Sequence, residues 1–226
     1  MDLYQKSKNI ASFGVVLMGN EIVFIQVGSN EGVLSTDPLS HFILKDKWKG
    51  ILIEPVPHIF EKLKKNYAGR SDLFFENVAI SNERKTSEFF IIDGKAEFFQ
   101  KNPGLMNEEG GAWGDQLGSL DLNHVLKCRP MLTKAEVKSI EVPCVTLQDI
   151  VDKYKLERVD VIQIDAEGHD DVILFSIDFS KIQPKIIIFE HMHMTLERYM
   201  ECRNYLQEHG YSVICTNPSD TVVSRL

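Results

Sequence analysis

Two glycines enclose a short polar turn directly after an apolar run. The segment V-F-I-Q-V-G-S-N-E-G, residues 23–32, predicts a buried strand that ends in a turn with glycine at Gly28 and Gly32. Glycine at such positions permits either a tight backbone connection or the close approach of a ligand that leaves no room for a β-carbon. The turn alone is weak evidence for a ligand, so the residues that end the other predicted strands must be considered with it.

Carboxylates and histidines stand at the ends of later predicted strands. The run G-I-L-I-E-P places Glu54 22 positions after Gly32, close to the ~20 expected for a carboxylate that binds the hydroxyls of a ribose. The sequence D-A-E-G-H-D-D starts at Asp165, and E-H-M-H starts at Glu190. A surface carboxylate or an acidic helix start explains each feature singly. Their recurrence at one edge of one predicted sheet favours a ligand site.

Strand-like and helix-like segments alternate through the first third of the chain. Apolar runs at residues 22–27, 50–55 and 73–81 predict three buried strands. Pro38 and Pro57 stand where the first turn of each intervening helix is expected. This alternation predicts an α/β fold with a parallel sheet and right-handed crossovers.

The pattern changes between residues 82 and 140, which we interpret as an insertion on the substrate side of a single domain spanning 1–226. Residues 86–93 and 96–100 predict two strands, and the glycine-rich connection 101–138 shows little periodicity. A connection of that length inside a compact domain is usually functional or mobile. We therefore expect it to decide substrate identity.

Regular structure resumes toward the C-terminus. Thr146 is the expected N-cap of a helix that runs to about Lys155. The runs V-D-V-I-Q-I-D and K-I-I-I-F-E-H predict a fourth and a fifth core strand. After a further helix, Y-S-V-I-C-T and T-V-V-S-R-L predict two closing strands.

Composition limits the class of protein. The chain has 226 residues, of which 43% are hydrophobic and 26% charged, as in one soluble domain. A net charge of -8 without a stripe of Lys and Arg argues against a nucleic-acid partner. The four cysteines form no C-x-x-C pair, which favours a reducing compartment. Residues 1–21 show neither a signal peptide nor a membrane span, so we expect a cytoplasmic protein without a membrane partner.

The turn also limits which nucleoside ligand is expected. A dinucleotide fingerprint needs G-x-G-x-x-G, but Asn30 stands where the middle glycine makes room for a pyrophosphate. The chain has no P-loop, and its one Tyr-x-x-x-Lys spacing, Tyr4 and Lys8, lies before the first strand. An adenosine cofactor without phosphates fits better, and S-adenosylmethionine is such a cofactor.

A set of segments at these strand ends resembles the FkbM-type, S-adenosylmethionine-dependent methyltransferases. The resemblance covers about residues 23–191, and its combination of motifs is more specific than any one of them. The segments are F-I-Q-V-G-S-N-E-G, G-I-L-I-E-P-V-P-H-I-F-E-K-L-K-K-N, E-N-V-A-I-S, V-P-C-V-T-L-Q-D-I-V and V-D-V-I-Q-I-D-A-E-G-H-D.

The resemblance implies a class I methyltransferase fold, a Rossmann-like, doubly wound sheet with strand order 3-2-1-4-5-7-6 and the last strand antiparallel. It also implies that Glu54 holds the ribose, that Asn77 and Val78 flank the adenine, and that Asp165 lies near the sulfonium. Gln26 stands where the family usually has an acidic residue. A glutamine can donate and accept hydrogen bonds there but carries no charge. The implied cofactor residues are Gln26, Gly28, Ser29, Asn30, Gly32, Glu54, Pro55, Asn77, Val78, Ala79 and Asp165.

The family typically methylates hydroxyl oxygens of sugars or secondary metabolites, which implies a small-molecule acceptor and a general base. His191 is the preferred base because the ordinary pKa of histidine is near neutral pH, and Glu167, Asp165 and His169 are the alternatives. His191 and His193 stand two apart, so on an extended strand both would face one side.

Three alternatives remain open from the sequence. A metal held by Asp165, Glu190, His191 and His193 is the rival way to activate a hydroxyl, but no metal ligand is predicted. A nicotinamide-dependent oxidoreductase and a non-catalytic nucleoside-binding module are the other two. The acceptor and the oligomeric state, including a possible homo-oligomer, are not fixed by the sequence.

Overall fold

The structure, a computed structural model, describes residues 22–34, 37–102 and 117–225, and it arranges their strands in two sheets. The strands are β1 (Val23–Val27), β2 (Lys49–Ile53), β3 (Leu73–Glu76), β4 (Ala79–Ile80), β5 (Lys85–Ile92), β6 (Gly118–Ser119), β7 (Val137–Val145), β8 (Val161–Ile164), β9 (Ile186–Glu190), β10 (Ser212–Thr216) and β11 (Asp220–Ser224).

The larger sheet has seven strands in the order β3-β2-β1-β8-β9-β11-β10. Counted along the chain within this sheet alone, that order is 3-2-1-4-5-7-6, and the whole-chain numbers differ because β4 to β7 belong to the second sheet. The strands from β3 to β9 pair in parallel, whereas β11 pairs antiparallel with both β9 and β10. The predicted α/β class and the antiparallel last strand are confirmed.

Helices cover both faces of this sheet because its strands are apolar on both sides. In β1 and β2, Ile25 and Ile51 pack in one core cluster, and Phe24 and Leu52 pack in the other. The helices are α1 (Ser40–Lys45), α2 (Pro57–Asn66), α3 (Glu97–Lys101), α4 (Leu122–Cys128), α5 (Leu147–Tyr154), α6 (Asp170–Phe175) and α7 (Leu196–Glu208), with a short 3₁₀ helix (Lys134–Glu136) before β7. Helices α1 and α2 lie on the Phe24 side, and α5, α6 and α7 lie on the Ile25 side. Within the described ranges, none of the helices combines the length and the apolar character that crossing a bilayer requires.

The second sheet lies between β3 and β8 in the chain and has the order β4-β7-β5-β6. Strands β5 and β7 form its long antiparallel ladder, from the pair Lys85 and Cys144 to the pair Ile92 and Val137. The predicted insertion 82–140 falls within this sheet and α3 and α4. Of the glycine-rich connection predicted to decide substrate identity, residues 103–116 lie outside the described residues, as do residues 1–21.

Two helix starts follow the predicted signals. Pro57 occupies the first turn of α2. Thr146 caps α5 through a capping box, in which its hydroxyl accepts from the Asp149 backbone N–H at 3.1 Å and the Asp149 carboxylate accepts from the Thr146 N–H at 2.9 Å. The prediction for Pro38 is wrong by two residues, since α1 begins at Ser40. The turn before α1 is held by Asp37, whose carboxylate accepts from the Ser40 N–H at 3.2 Å.

Two strand predictions are also wrong. Residues 97–100 lie in helix α3 rather than in a strand, and Ala96 is its N-cap. A short apolar run fits either structure, and here Phe99 packs with Ile92 and Leu117. Residues 73–81 form two strands in different sheets. The chain turns after β3, where the Asn77 amide donates to the Glu54 carbonyl at 2.8 Å, and β4 then pairs with β7.

Candidate active site

The strand ends of the larger sheet surround a cavity of about 640 Å³. The carboxyl ends of β1, β2, β8 and β9 contribute to its wall, which is where α/β folds bind their ligands. Residues of the second sheet and its connections, including Phe89 and Gly118, close one side. The predicted residues that line the cavity are Gln26, Gly28, Ser29, Asn30, Glu54, Pro55, Val78, Ala79, Asp165 and Glu167. Three others, Gly32, Asn77 and His191, lie outside its wall.

The two glycines of the first turn are required by the protein's own packing. Both have left-handed backbone conformations, with φ of 75° at Gly28 and 74° at Gly32. A β-carbon at Gly28 would lie 1.8 Å from the Asp165 carbonyl oxygen, and one at Gly32 would lie 2.4 Å from the Tyr67 ring. The Tyr67 hydroxyl also donates to the Gly32 carbonyl. Gly32 therefore serves the contact with α2, and only Gly28 also borders the cavity.

Gln26, which is buried, and Asp37, which is half-buried, form a polar pair on the cavity wall. The Gln26 amide nitrogen donates to Asp37 Oδ1 at 2.9 Å, and the same oxygen accepts from the Leu39 N–H at 2.8 Å. Asp37 Oδ2 is buried and has no hydrogen-bond partner among the described residues. Burial raises the pKa of the Asp37 carboxyl to about 6. Sequence reasoning missed Asp37, which supplies a carboxylate next to the uncharged Gln26.

A second amide lies beside this pair. Gln163 on β8 is in register with Gln26 on β1, so the two side chains share one face of the sheet. Both line the cavity, and the Oε1 atom of each is buried without a hydrogen-bond partner among the described residues. Together with Asp37 Oδ2 and Glu190 Oε2, they give four acceptor oxygens that are buried at this cavity and that no described donor satisfies. Such a wall matches a ligand that is rich in donors or positively charged.

Glu54 is fixed at the end of β2 by two backbone donors. Its side chain is buried, and its two carboxylate oxygens accept from the Asn30 N–H at 3.0 Å and the Val56 N–H at 2.8 Å. Burial raises the pKa of Glu54 to about 7. The bond to Asn30 couples this carboxylate to the glycine turn, so its orientation on the cavity wall is set before any ligand binds.

Two of the predicted cofactor residues use their polar atoms within the protein. The Ser29 hydroxyl donates to the Gln26 carbonyl at 3.1 Å and accepts from the Ile53 N–H at 3.0 Å. The Asn77 amide donates to the Glu54 carbonyl at 2.8 Å. These side chains hold the ends of β1 and β2 in place and offer the cavity no free donor.

Five carboxylates gather on the side of the cavity formed by β8, β9 and β11. Burial and the negative charges of Glu167 and Asp170 raise the pKa of Asp165 well above its ordinary value. Burial raises the pKa of Glu190 to about 10, with Asp165 as the strongest neighbouring charge. Burial also raises the pKa of Asp170 to about 7 and, in direction, that of Asp220. Burial is the largest cause of each of these shifts, and for Asp165, Asp170 and Glu190 the negative charge of neighbouring carboxylates adds to it.

The two histidines after β9 face different neighbours. The strand ends at Glu190 and a turn follows, so the alternation that would place them on one side does not apply. The His191 ring stacks on Tyr199 at 4.7 Å, and its Nδ1 lies 3.0 Å from the Thr221 hydroxyl. His193 instead contacts His124, with ring centroids 4.4 Å apart. The structure does not bring His191 to the cavity wall.

His169 does line the cavity, and its Nε2 lies 3.1 Å from the Ser81 hydroxyl. Burial lowers its pKa. His169 directly precedes α6, and its ring contacts the hydroxyl of Ser81, the residue after β4, at the cavity wall.

The sheet order, the cavity at the strand ends and its acidic wall define an α/β protein of the class I methyltransferase fold. Residues 26–213 match the family described as the methyltransferase FkbM domain, and the chain belongs to this family of S-adenosylmethionine-dependent methyltransferases. The chain is thus a methyltransferase. Among proteins with curated descriptions, none matches the sequence.

The arrangement is also similar to that of several solved structures, at low sequence identity. They include precorrin-6y C5,15-methyltransferase from Geobacter metallireducens GS-15, with 10% identity, a TM-score of 0.47, and coverage of 97% of this chain and 86% of that one. Ribosomal protein L11 methylase from Lactobacillus delbrueckii subsp. bulgaricus has 12% identity and a TM-score of 0.47, with coverage of 98% and 79%. Aeropyrum pernix fibrillarin with natively bound S-adenosyl-L-methionine has 11% identity and a TM-score of 0.44, with coverage of 98% and 75%. At these scores the likenesses carry no conclusion about the acceptor.

Proposed function

We propose that this chain transfers a methyl group from S-adenosylmethionine to a hydroxyl of a small molecule, a sugar or a secondary metabolite. The observation that carries the proposal is the acidic wall of the cavity and its unsatisfied acceptor oxygens. Four buried acceptor oxygens there have no partner among the described residues. A ligand with an ammonium, a sulfonium and ribose hydroxyls supplies what those oxygens lack.

The cofactor's amino acid end fits next to Gly28 and the pair Gln26 and Asp37. Asp37 Oδ2 and Gln26 Oε1 are the acceptors for an ammonium there, in place of the acid that the family has at Gln26. Glu54, whose orientation is fixed by two backbone donors, is the acceptor for the ribose hydroxyls. When bound, S-adenosylmethionine supplies a methyl group activated by a positively charged sulfur.

The base end of the cofactor fits the apolar part of the wall. Pro55, Val78 and Ala79 line the cavity between the ends of β2 and β4. Asn77 stabilises this part of the wall without lining the cavity, because its amide nitrogen donates to the Glu54 carbonyl at 2.8 Å and to the Pro55 carbonyl at 3.0 Å. These contacts favour a flat, apolar group such as adenine at this end.

Asp165 is the residue we propose to accept the proton of the acceptor hydroxyl. It lines the cavity at the end of β8, beside Gly28, and its carboxylate can take a proton from an acceptor hydroxyl when it is ionised. A bound positive charge would favour its ionised form. Glu167 lines the same wall, and we propose that it contacts the acceptor. His191 is the third predicted residue, and its contacts with Tyr199 and Thr221 suit a positioning role for the loop after β9.

The nature of the acceptor and the cellular setting are part of the proposal. The net charge of -8 and the acidic wall favour a small, uncharged or cationic acceptor over a nucleic acid. All four cysteines are free thiols, which supports a cytoplasmic location. A homo-oligomer is compatible with the chain and is tested by its mass in solution.

The nicotinamide-dependent oxidoreductase is disfavoured by the same wall. A dinucleotide carries a negatively charged pyrophosphate, which the Asp37 carboxylate on this wall would repel once it is ionised. A non-catalytic module of the same fold would bind S-adenosylmethionine without turnover. A transfer assay separates it from an enzyme.

The test is transfer of a labelled methyl group from S-adenosylmethionine to a panel of sugars, phenols, amines and RNA. We expect label in a hydroxyl acceptor, with kcat reduced ~10²–10⁴-fold by Asp165→Asn. Asp178→Asn, at an exposed aspartate away from the cavity, is the matched control and should leave kcat unchanged. Label only in amines or RNA would refute the acceptor, and an Asp165 variant with normal kcat would refute the base.

A further inference from the structure

Two histidines and a cysteine converge where the second sheet meets the strand ends. His124 and Cys128 stand one turn apart on α4, and Cys128 Sγ lies 3.3 Å from His124 Nε2. His193, in the loop after β9, brings its Nδ1 to 3.6 Å from the same sulfur, although 65 positions separate the two residues in the chain. The side chain of His124 is 8% exposed and that of His193 is 16% exposed.

The spacing of these atoms matches the spacing of ligands around a tetrahedral metal ion. With Zn–N distances of about 2.0–2.1 Å and a Zn–S distance of about 2.3 Å, nitrogen and sulfur ligands of one tetrahedral zinc ion lie about 3.5 Å apart. The two sulfur–nitrogen distances of 3.3 and 3.6 Å fall on either side of that value. The three donor atoms also lie within 4.8 Å of one another.

The other ring nitrogen of His193 faces carboxylates. Its Nε2 lies 3.6 Å from Glu190 Oε2 and 3.7 Å from Glu167 Oε2. Glu190 Oε2 is buried and has no hydrogen-bond partner among the described residues. A metal-binding histidine commonly gives its second N–H to a carboxylate, which fixes the ring and its tautomer. Glu190 is placed to serve His193 in this way.

We propose that His124 Nε2, Cys128 Sγ and His193 Nδ1 bind a zinc-class divalent cation, with an open fourth position that faces Glu167. Imidazole and thiolate are the ligands that zinc prefers, and sites with three protein ligands keep a fourth position for water or substrate. Glu167 Oε2 lies 3.4 Å from His124 Nε2 and is therefore next to that position.

This site differs from the metal set considered in the sequence, which shares only His193 with it. The ion would hold α4, which packs against β5 and β6 of the second sheet, to the loops that follow β8 and β9. It would also offset negative charge of Glu167 beside the cavity. Binding of the ion does not depend on methyl transfer, so its failure and the failure of the proposed function are distinguishable.

The test uses the purified full chain stripped of metal with a chelator. Zn²⁺ is titrated in competition with a chromophoric chelator, and Co²⁺ is titrated with detection of the absorption band that a cobalt–thiolate bond produces. We expect one tightly bound Zn²⁺ per chain and a cobalt–thiolate band. A chain that binds neither ion below millimolar concentration has an ordinary hydrogen-bonded cluster here, and the proposal is overturned.

Matched variants assign the site. Cys128→Ser should abolish the cobalt band and weaken Zn²⁺ affinity by at least about 100-fold, whereas Cys215→Ser, at a half-buried thiol on β10, should change neither. His193→Gln is the second ligand variant in case Cys128→Ser folds poorly, as judged by circular dichroism. Glu190→Gln should weaken affinity by about 10–100-fold while keeping the cobalt band. Equal affinities for Cys128→Ser and Cys215→Ser would place the ion elsewhere and refute the assignment.

Discussion

Asp37 gives the sharpest test of how the cavity binds a positively charged cofactor. Its Oδ1 accepts three hydrogen bonds, from Gln26, Leu39 and Ser40, whereas its Oδ2 has no partner among the described residues. Asp37→Asn keeps one oxygen for the three donors and replaces the unpartnered oxygen by an amide. The substitution should therefore act on stability and on cofactor binding in opposite directions.

The stability effect follows from the raised pKa. A carboxyl whose folded pKa is above its unfolded value stabilises the fold at low pH and loses that contribution as pH rises from 3.8 to about 6. At about 1.4 kcal/mol for each pKa unit, the charged carboxylate costs up to about 3 kcal/mol at neutral pH. Asp37→Asn removes this cost, so the ligand-free variant should unfold at a temperature several degrees higher than the wild type.

The binding effect has the opposite sign. A hydrogen bond to a charged group contributes about 1.5–3 kcal/mol, so loss of the carboxylate should weaken S-adenosylmethionine binding by roughly 10–150-fold. Calorimetric titration and thermal unfolding of Asp37→Asn measure the two quantities, with Asp46→Asn at an exposed aspartate as the matched control. A variant that is less stable and binds normally would refute the reasoning, because Asp37 would then serve the fold and not the ligand.

Three further predictions concern the turn, the ribose carboxylate and a helix cap. Gly28→Ala places a β-carbon 1.8 Å from the Asp165 carbonyl oxygen and should lower the free energy of unfolding in urea by more than about 2 kcal/mol. Gly69→Ala, at a positive φ but with no atom within 4 Å, should lower it by about 1–2 kcal/mol. Equal losses of unfolding free energy in the two variants would contradict this. Glu54 ionises as pH rises through about 7, so the S-adenosylmethionine affinity of the wild type, measured by calorimetry, should rise over that range. Glu54→Gln should make the affinity independent of pH there. If the variant keeps the pH dependence of the wild type, Glu54 does not hold the ribose. Thr146→Ala removes the cap of α5 and should lower the free energy of unfolding by about 1 kcal/mol, and an unchanged unfolding midpoint would contradict that role.

The sequence predicted the sheet and the strand ends because local patterns determine both. Apolar runs such as those of β1 and β8 specify buried parallel strands, and the residues that follow them must lie at one edge of the sheet. Gly28, Glu54 and Asp165 could therefore be placed near one cavity from the sequence. Gly32 was singled out correctly as a constrained position, but its partner proved to be Tyr67 on α2, which the local pattern does not reveal.

Other features depend on contacts between distant parts of the chain. Asp37 precedes a helix and has the pattern of an ordinary capping residue, and only its contact with Gln26 shows that it faces the cavity. The cluster of His124, Cys128 and His193 depends on how the second sheet packs against the strand ends, which no spacing in the sequence encodes. His191 turns away from the cavity because β9 ends at Glu190 and the alternation of a strand no longer holds.

The central claim is that the cavity at the strand ends binds a methyl donor. Thermal unfolding of the full chain with S-adenosylmethionine, S-adenosylhomocysteine and NAD, in separate samples, tests it most directly. A ligand at ~100 times its dissociation constant adds ~2.7 kcal/mol, which corresponds to a rise in midpoint of roughly 5–10 °C. We expect that rise with the two sulfur nucleosides and none with NAD. A rise with NAD alone would contradict the claim, and so would the absence of a rise with any of the three ligands.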